Sequence, residues 1–401
     1  MRFTNSAFTG SPLRTKRGEL SLLATELPTI LTPILASLPI TLENPEARIR
    51  NRHADLLVNQ EVADTLKLRS CIIQYLRNFL VDDKFIEVQT PILADDAGGA
   101  IARPFVTRAT EFADKTLSLR IAPEIWLKRL VLGGMDRVFE MGPAFRNEGL
   151  DATHNPEYTT CEFYKAFADL EELISMTESL IYGLASHVNH MIQTQYTILP
   201  TLDARHYSSP FKRIEFIPAL EAAIWRKLPE LQSPSASEEL VFLFHDLSLP
   251  LPASPTLPRL LDKLSSLYLE PQCDSPTFIV HPPACLAPLS KSFRDPASGQ
   301  IVSARGELFI QGWEIANMYE EENSPFEQKK KFMEQAQWRD DENRGVIDES
   351  YLEALEWGLP PTGGWGCGVD RLCMHFAGAS RISDVLSFGN LRNVVGLVKK
   401  T

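Results

Sequence analysis

A pair of strands joined by a long polar connection constrains the fold of this chain more than any other feature. Arg137 to Phe145 and Tyr158 to Ala166 both have the residue pattern of strands, and the segment between them is polar. Such a connection is unusually long for a hairpin, whose loop commonly has about two to five residues. Further strands follow without a regular alternation with helices, so we expect an α+β fold in which an antiparallel sheet is flanked by helices.

Periodicity predicts the elements around this pair. Apolar side chains at helical spacing predict a helix over residues 60–81, and Phe85 to Val88 alternates as a strand that Pro91 ends. Further helices are expected from about Pro123 and over Asp169 to His187. A long helix therefore leads into a strand that a proline stops.

The composition of the sequence differs from about residue 189 to 276. Prolines cluster at 250–258 and serines at 233–237, and the stretch contains no motif typical of a functional site. We interpret it as an insertion or a small subdomain.

Charge and apolar patterning restrict the partners of the chain. The 401 residues include 40 Lys and Arg against 52 Asp and Glu, a formal net charge of −12. A nucleic-acid partner must therefore be bound by a local basic patch, because the field of the whole molecule repels phosphate. Glu26 and three prolines interrupt the apolar stretch from Leu20 to Ile40 too often for a membrane span. Six cysteines without a C-x-x-C pair argue against a disulfide framework and a zinc ribbon.

The long hairpin concentrates polar side chains that suit a nucleotide. Arg146 and Glu148 share one face of the incoming strand, because side chains alternate with period two. Tyr158, Glu162 and Tyr164 likewise share a face of the returning strand. These residues predict a cradle in which a guanidinium binds a phosphate and a ring stacks on a base. The alternative is a solvated hairpin with chance charges, since surface pairs of Arg with a carboxylate are common.

A second hairpin brings two carboxylates together. Gln311-Gly312 is a tight-turn signal that pairs Phe309 with Glu314, and Glu307 then lies on the same face as Glu314. Two such carboxylates repel each other unless a cation lies between them, and Mg²⁺ commonly takes one or two carboxylates plus substrate phosphates. The sequence therefore predicts a magnesium pair. The alternative is an outer face paired with lysines, but the residues between the two acids include none.

Two further stretches have weaker signals. Three consecutive acids, Glu320 to Glu322, predict a solvated strand end from which one acid turns inward to meet a cationic substrate. The run from Gly363 to Gly368 predicts a glycine-rich loop that lets the backbone approach a ligand, while Arg371 reaches a phosphate from the start of the next helix. A tight turn at a buried junction of helix and strand would explain these glycines equally well.

Taken together and in this order, these stretches resemble the class II aminoacyl-tRNA synthetases, and among them the lysyl-tRNA synthetases. The helix and strand that end at Pro91 are similar to the dimer-interface motif 1, Phe145 to Glu162 to motif 2, and Gly366 to Arg371 to motif 3. The segments that resemble the lysine-specific members are Ala97–Ala100, Arg103–Phe105, Arg120–Glu124, Arg146–Gly149, His154–Glu157 and Glu162–Tyr164. Two segments are most similar to the fungal mitochondrial type, Tyr319–Pro325 and Leu386–Arg392.

The resemblance also implies a division into domains. Residues 43–401 are expected to form the catalytic domain, with the insertion at about 189–276. Residues 1–42 are expected to be a linker and a remnant of the OB-fold domain that reads the anticodon, because only Lys16 to Ser21 and the leucine-rich segment after it resemble that domain. We therefore expect tRNA to be charged less well than lysine is activated. The resemblance also implies a mitochondrial location, with the cytoplasm as the alternative. The basic N-terminus is weakly like a mitochondrial transit peptide, and an ordinary basic N-terminus explains it at least as well.

By this resemblance, L-lysine is activated by ATP with Mg²⁺ and passed to the 3′ end of tRNA(Lys). The residues assigned to ATP are Arg146, Glu148, His154, Tyr158, Gly368 and Arg371, of which Arg146 and Arg371 are catalytic. Those assigned to lysine are Gly98, Glu124, Glu162, Tyr164, Asn317 and Glu321, and those assigned to Mg²⁺ are Glu307 and Glu314. A substrate with two ammonium groups needs acids at both ends of its pocket, so this set suits lysine.

Two other functions stay open from the sequence. One is a lysine-activating paralogue that delivers the amino acid to a protein or small molecule, and the other is a non-catalytic regulatory protein built on the synthetase dimer. The joint presence of Arg146, Glu307, Glu314 and Arg371 argues against the second, because a protein without catalysis has no need of them. The resemblance further implies a homodimer and no membrane partner.

Overall fold

A central sheet of eight strands organises the part of the chain that the computed structural model describes, which is residues 5–36, 39–95, 102–337 and 348–395. The strands in these ranges are β1 (Asn5–Ala7), β2 (Gly10–Arg14), β3 (Leu20–Ala24), β4 (Thr29–Thr32), β5 (Ile86–Glu87), β6 (Leu93–Ala94), β7 (Val106–Thr107), β8 (Leu117–Leu119), β9 (Arg137–Phe145), β10 (Glu157–Ala166), β11 (Lys212–Glu215), β12 (Thr277–Val280), β13 (Ser292–Arg294), β14 (Ile301–Ser303), β15 (Arg305–Ile310), β16 (Trp313–Glu320) and β17 (Thr362–Gly368).

The helices flank this sheet. They are α1 (Pro45–Arg50), α2 (Arg52–Val58), α3 (Gln60–Asp82), α4 (Glu124–Leu132), α5 (Leu170–Thr194), α6 (Phe216–Ile224), α7 (Ala236–Asp246), α8 (Leu257–Tyr268), α9 (Pro325–Ala336), α10 (Glu349–Leu355), α11 (Val369–Ala377), α12 (Ile382–Val385) and α13 (Leu391–Val395). Within the described ranges, no helix combines the length and the apolar character needed to cross a membrane.

The strand order in the central sheet is β11-β12-β15-β16-β17-β10-β9-β5. The central pairings are all antiparallel, whereas the outermost pairing at each edge is parallel. The expected α+β fold, an antiparallel sheet flanked by helices, is therefore confirmed, with a parallel strand added at each edge. A long crossover that contains helices precedes each parallel pairing, as parallel strands require.

The hairpin of β9 and β10 closely matches its prediction. β9 has the predicted bounds, and β10 begins one residue early, at Glu157. Phe163 of β10 stacks on Trp365 of β17 in the main core, with 5.0 Å between ring centroids. Because side chains alternate along a strand, Glu162 and Tyr164 point to the opposite face, which we call the site face.

α3 and α5 cover the core face of the sheet. Buried apolar side chains recur every four residues along α3, at Leu68, Ile72, Leu76 and Leu80, and this spacing places them on one side of the helix. α5 begins after Asp169, whose side chain accepts a hydrogen bond from the backbone nitrogen of Glu172 at 2.8 Å. Both long helices therefore bury an apolar stripe against the sheet and leave the site face open to other elements.

The glycine-rich run is a strand, and the expected loop was wrong. Gly363 to Gly368 lies in β17, between β16 and β10, and the helix begins directly after it. A methyl group at Gly364 would lie 2.6 Å from Cε1 of Tyr164, and one at Gly366 would lie 3.5 Å from Cγ of Glu162. Glycine weakens a strand, but here it leaves room for the side chains of the neighbouring strand on the site face.

The segment after α5 forms a small unit with its own core. α6, α7 and α8 pack around a second cluster of buried apolar residues that includes Phe216, Leu240, Leu260 and Leu264. β11 joins this cluster to the sheet by pairing in parallel with β12. α5 itself continues to Thr194, so the unit starts later than residue 189, where the composition of the sequence changes.

The N-terminal strands lie outside the central sheet. β1 pairs with β4 and β2 pairs with β3, both antiparallel. Their leucines include Leu23 and Leu31, which are 60% and 64% exposed. These short strands agree with the expected remnant of an OB fold, and the domain boundary at residue 43 stays a prediction.

Candidate active site

Two neighbouring rows of residues cross the site face. Residues paired across β15, β16, β17 and β10 in the first row are Glu307, Asn317, Gly366 and Glu162. Those in the second row are Arg305, Tyr319, Gly364 and Tyr164. Side chains directly opposite each other on paired strands share a face. Strand register alone therefore brings four of the predicted site residues together, namely Glu162, Tyr164, Glu307 and Asn317.

The turn between β15 and β16 has the predicted register. Gln311 and Gly312 have positive φ angles of 53° and 73°, which a two-residue type I′ turn requires at both central positions. Phe309 pairs with Glu314, as the turn predicts. A β-bulge with one extra residue in β16 follows, and it turns Asn317 to the same face as Glu314.

The charge of Glu314 acts on the buried carboxylate of Glu307. Burial raises the pKa of Glu307 to about 7, the guanidinium of Arg305 opposes this rise, and the charge of Glu314 adds to it. Arg305 forms a short ion pair with Glu307. The sequence argument considered only lysines between the two acids and missed this arginine, which stands two residues before Glu307 in the same strand.

The insertion supplies two further acids, Asp262 in α8 and Glu270 after it. Burial raises the pKa of Glu270 to about 7, and the charges of Asp262 and Glu307 add to the rise. The backbone nitrogen of Gly312 donates to the carbonyl of Cys273 at 3.0 Å, which holds the insertion against the turn. Sequence reasoning found no site in this segment, because only the folded contact with the turn brings these acids to the carboxylate pair.

Arg371 and His154 meet beside Glu314. Nη2 of Arg371 donates to Nε2 of His154 at 2.6 Å, and Nη1 lies 3.8 Å from Oε2 of Glu314. Asp151 fixes the imidazole, because its Oδ2 lies 2.8 Å from Nδ1 of His154. Three predicted site residues thus lie together: His154 and Arg371, which were assigned to the nucleotide, and Glu314, which was assigned to the metal.

A buried ion pair fixes the start of α11. Oδ1 of Asp370 lies 2.5 Å from Nη1 of Arg69 in α3, and Oδ2 accepts a hydrogen bond from the backbone nitrogen of Thr159 at 2.8 Å. Gly368 ends β17 and is the N-cap residue of α11. Because Asp370 directly precedes Arg371, this pair sets where the arginine projects. Sequence spacing gives no signal that connects Arg69 with it.

Arg146 and Tyr158 lie at the loop end of the β9–β10 hairpin. The guanidinium carbon of Arg146 is 5.3 Å from the ring centre of Tyr158, whose hydroxyl donates to the carbonyl of Ile121 at 3.2 Å. Nε of Arg146 is buried and has no hydrogen-bond partner among the described residues. Glu148 lies exposed nearby in the same hairpin. A buried donor without an acceptor is costly, so Arg146 has a donor available for an anionic ligand, as the prediction requires.

Glu124, Glu321 and Tyr164 meet around a residue that sequence reasoning missed, Lys128. Nζ of Lys128 lies 2.5 Å from Oε1 of Glu124 and 2.5 Å from Oε2 of Glu321. It also lies 5.7 Å from the ring centre of Tyr164 and 5.9 Å from that of Tyr351 in α10. The spacing of Lys128 four residues after Glu124 on a helix was a usable signal, whereas no pattern marks Tyr351.

The three consecutive acids follow the prediction only in part. Glu321 turns inward and is fully buried, but Glu322 is buried as well and Glu320 is half-buried. Glu322 is buried and its Oε2 lies 2.6 Å from Nζ of Lys331. Glu320 accepts a hydrogen bond from the backbone nitrogen of Leu170 at 3.1 Å. The expected solvated face was wrong, because α9 and the start of α5 supply partners for these acids.

Glu162 lies between the nucleotide residues and the acid cluster. Burial raises its pKa to about 8, the charge of Glu124 adds to this rise, and Arg146 opposes it. Asn317 lies in the same row and donates to the hydroxyl of Tyr319 at 2.8 Å. Gly98, the remaining residue predicted for lysine, lies outside the described residues.

The donors of Glu307 and Glu314 fit Mg²⁺. In the part of the chain that the structure describes, no three His, Cys, Asp or Glu side chains are arranged to hold an ion by themselves. Mg²⁺ in nucleotide sites commonly takes one or two carboxylates and completes its coordination with phosphate oxygens and water. A carboxylate pair beside arginines that are predicted to bind phosphate suits this ion better than a site built from protein ligands alone.

Comparison with known proteins gives the family. The model of class II tRNA synthetases (D, K and N) matches residues 44–392. The mitochondrial lysine–tRNA ligase of Schizosaccharomyces pombe is 44% identical over 392 residues, which cover 96% of this chain and 72% of the relative. The mitochondrial lysine–tRNA ligase of Saccharomyces cerevisiae is 39% identical over 399 residues, covering 94% and 68%. A relative from Encephalitozoon cuniculi whose name places it in the cytoplasm is 41% identical over 401 residues, covering 96% and 77%.

These matches extend over the hairpins, the glycine strand and the insertion described above. The resemblance seen in the sequence is confirmed, and the chain belongs to the class II tRNA synthetases.

Proposed function

We propose that the protein is a lysine–tRNA ligase that activates L-lysine with ATP and transfers the lysyl group to tRNA(Lys). One observation carries this proposal: a buried cluster of acids lies on the same sheet face as arginines and carboxylates suited to a nucleotide and its Mg²⁺. The acids select a substrate with two ammonium groups, and the relatives named as lysine–tRNA ligases support the same substrate.

In the proposed reaction, a carboxylate oxygen of lysine attacks the α-phosphorus of ATP. A new oxygen–phosphorus bond forms, and pyrophosphate leaves with the electron pair of the broken bond. Arg146 binds the lysine carboxylate and the α-phosphate, Tyr158 stacks on the base near Glu148, and His154 and Arg371 bind the outer phosphates. Mg²⁺ on Glu307 and Glu314 would neutralise phosphate charge. The site works by positioning and charge stabilisation, so it needs no side-chain nucleophile.

At the other end, Glu321 and Tyr164 bind the ε-ammonium, while Glu124, Asn317 and Gly98 bind the α-ammonium. Glu162 lies between these groups and adds negative charge to the pocket. In the second step, a hydroxyl at the 3′ end of tRNA attacks the carbonyl carbon of lysyl-adenylate. The ester bond forms as AMP leaves.

Two assays on the wild-type protein test this function. Lysine-dependent exchange of pyrophosphate into ATP reports the first step, and charging of tRNA(Lys) reports the second. Activity in both is expected. Exchange without charging would favour a lysine-activating paralogue with another acceptor, and the absence of exchange would show a non-catalytic protein.

The carboxylate pair leads to a prediction about Mg²⁺. Glu307→Gln or Glu314→Gln should raise the Mg²⁺ concentration for half-maximal exchange about tenfold, since each removes one of few protein ligands. Folding should be preserved, as judged by the melting temperature. Glu334→Gln, a change of an acid in α9 away from the site, serves as the matched control. A variant that melts early yet keeps the wild-type Mg²⁺ dependence would show a structural role for the pair.

The raised pKa of Glu162, about 8, leads to a prediction about pH. Below that pH the carboxyl is mostly neutral, and a cationic substrate favours the ionised form. The KM for lysine should therefore fall about fivefold or more between about pH 6.5 and 8.5, while the KM for ATP changes little. Glu162→Gln should flatten the profile. An equally steep profile in this variant would assign the titration to another group.

We also propose a homodimer formed through the end of α3 and β5. β5 is an edge strand, and apolar side chains around it are exposed: Val81 by 48%, Ile86 by 52% and Leu93 by 49%. A patch of this kind is typical of an interface. Sedimentation at micromolar concentration should give twice the 45.1 kDa chain mass. A fully active species of single-chain mass would contradict this proposal.

For location we propose the mitochondrion, which the two yeast relatives and the basic N-terminus support. Cell fractionation with an antibody to the native protein tests this, and an exclusively cytosolic signal would contradict it.

A further inference from the structure

Lys128 occupies the centre of the acid cluster. It lies on α4 one turn after Glu124, and it is fully buried. Its ammonium contacts Glu124 and Glu321 at 2.5 Å each and lies over the rings of Tyr164 and Tyr351. Three of these four neighbours are residues that we assign to substrate lysine. Lys128 thus contacts the same side chains that would bind the substrate.

Stabilisation of the folded state does not by itself explain why a lysine is buried at this position. Replacing a buried ion pair by apolar residues of similar volume is often neutral or stabilising, and α4 otherwise buries apolar side chains such as Leu127 and Val131. Burial alone would lower the pKa of Lys128, but the carboxylates of Glu124 and Glu321 outweigh it and hold the pKa well above its usual value. The group is therefore an ammonium at neutral pH.

Glu321 has unused hydrogen-bonding capacity despite this contact. Its two carboxylate oxygens are buried, and neither has a hydrogen-bond partner of good geometry among the described residues. Oε2 is the oxygen in the 2.5 Å contact with Lys128, whereas Oε1 has no hydrogen-bond donor among the described residues. A buried acceptor without a donor is costly, so this carboxylate is arranged to receive a second ammonium from a ligand.

The charges of the pocket balance those of lysine. With lysine bound, its ammonium groups favour the ionised form of Glu162, whose pKa is otherwise about 8. The three carboxylates of Glu124, Glu162 and Glu321 then stand against the two cations Lys128 and Arg146, so the fully ionised pocket has one negative charge. Lysine at neutral pH has one net positive charge. Without Lys128 the pocket would have two, and close carboxylates in a buried site take up protons to relieve such repulsion.

We infer that Lys128 is a positioning residue, which holds Glu124 and Glu321 in their lysine-binding orientation and leaves the pocket with the single negative charge that matches its substrate. This inference rests on the proposed function. Lys128 does not touch the reacting atoms, so its effect is on lysine recognition and not on the nucleotide.

The test is Lys128→Met, which keeps the length of the side chain and removes its charge. At pH 7, the KM for lysine in pyrophosphate exchange should rise about tenfold or more, since Glu124 and Glu321 lose their shared counter-ion. The KM for ATP should change less than about twofold. At pH 9 the KM for lysine, taken relative to that of the wild type at the same pH, should partly recover, because the buried carboxylate of Glu321, whose pKa burial raises to about 8, then ionises without help. Lys227→Met, at an exposed ion pair with Glu221, is the matched control.

Three outcomes would overturn the inference: an unchanged KM for lysine, equal increases of both KM values, or no recovery at high pH. If Lys128→Met does not fold, the double variant Lys128→Met with Glu321→Gln removes one charge of each sign and should restore folding. A double variant that melts no higher than the single one would also contradict the charge balance. Exchange by the wild-type protein tests the proposed function separately, so failure of either claim is recognisable.

Discussion

Arg146→Ala is expected to lower the rate of lysine-dependent pyrophosphate exchange about a hundredfold or more, the size of effect seen when a donor to developing phosphate charge is removed. The guanidinium rests against Tyr158, and its buried Nε lacks a partner among the described residues. Its donors are therefore free for the two anions that react, the carboxylate of lysine and the α-phosphate. The loss should be mainly in kcat, because this charge builds up most in the transition state.

Two further variants make this experiment specific. Arg146→Lys retains the charge but not the planar fork of donors that binds two oxygens, so it should recover only part of the rate. Arg205→Ala removes an arginine that is 89% exposed and paired with Asp203, and it should leave exchange as in the wild type. If Arg146→Ala catalyses exchange as fast as the wild type, the assignment of this arginine to the reacting carboxylate and phosphate is wrong.

The sequence predicts those parts of the site that depend on local periodicity. β9 and β10 could be bounded to within one residue because alternation persists along both strands. The turn at Gln311 and Gly312 fixed the pairing of Phe309 with Glu314, because two-residue turns leave little choice of register. Such patterns predict which side chains share one face of the sheet. That prediction requires no knowledge of the rest of the fold.

Contacts between distant segments could not be predicted in this way. Lys128 meets Glu321 across a large separation in sequence, and Asp262 reaches the carboxylate pair only because the insertion folds back on the β15–β16 turn. The charge run at Glu322 looked solvated because its partner, Lys331, comes from a helix that packs on it later in the chain. These errors share one cause, since a buried charge and its partner form no short-range pattern.

The glycine strand was misjudged for a different reason. Glycine disfavours strands, so local propensity predicts a loop. Side-chain volume on the site face overrides this propensity, because Tyr164 of β10 and Glu321 after β16 occupy the space beside Gly364. The strand can accept these glycines because both of its edges are paired, with β16 and with β10. Gly364 is thus the position where the sheet leaves space for two side chains, Tyr164 and Glu321, that we propose bind lysine.

Gly364→Ala should therefore damage lysine recognition. The added methyl group would lie 2.6 Å from Cε1 of Tyr164 and closer still to Oε1 of Glu321, so these side chains must move. Overpacking of this kind costs about 1–3 kcal/mol, which corresponds to a loss of about five- to 150-fold in kcat/KM for lysine. Binding of ATP, measured by its KM in exchange, should change much less, because Arg146, His154 and Arg371 lie away from this collision.

A second glycine of the same sheet gives the control. A methyl group at Gly306 in β15 would meet Leu170, Val280 and Met318 at 3.6 Å, which is ordinary van der Waals contact. Gly306→Ala should therefore leave lysine recognition intact, although it makes the same chemical change in another buried strand of the same sheet. If the two variants raise the KM for lysine equally, the loss reflects a general disturbance of the sheet and not the shape of the pocket. If Gly364→Ala binds lysine as well as the wild type, Tyr164 and Glu321 do not form the pocket wall, and the assignment of both residues to lysine is wrong.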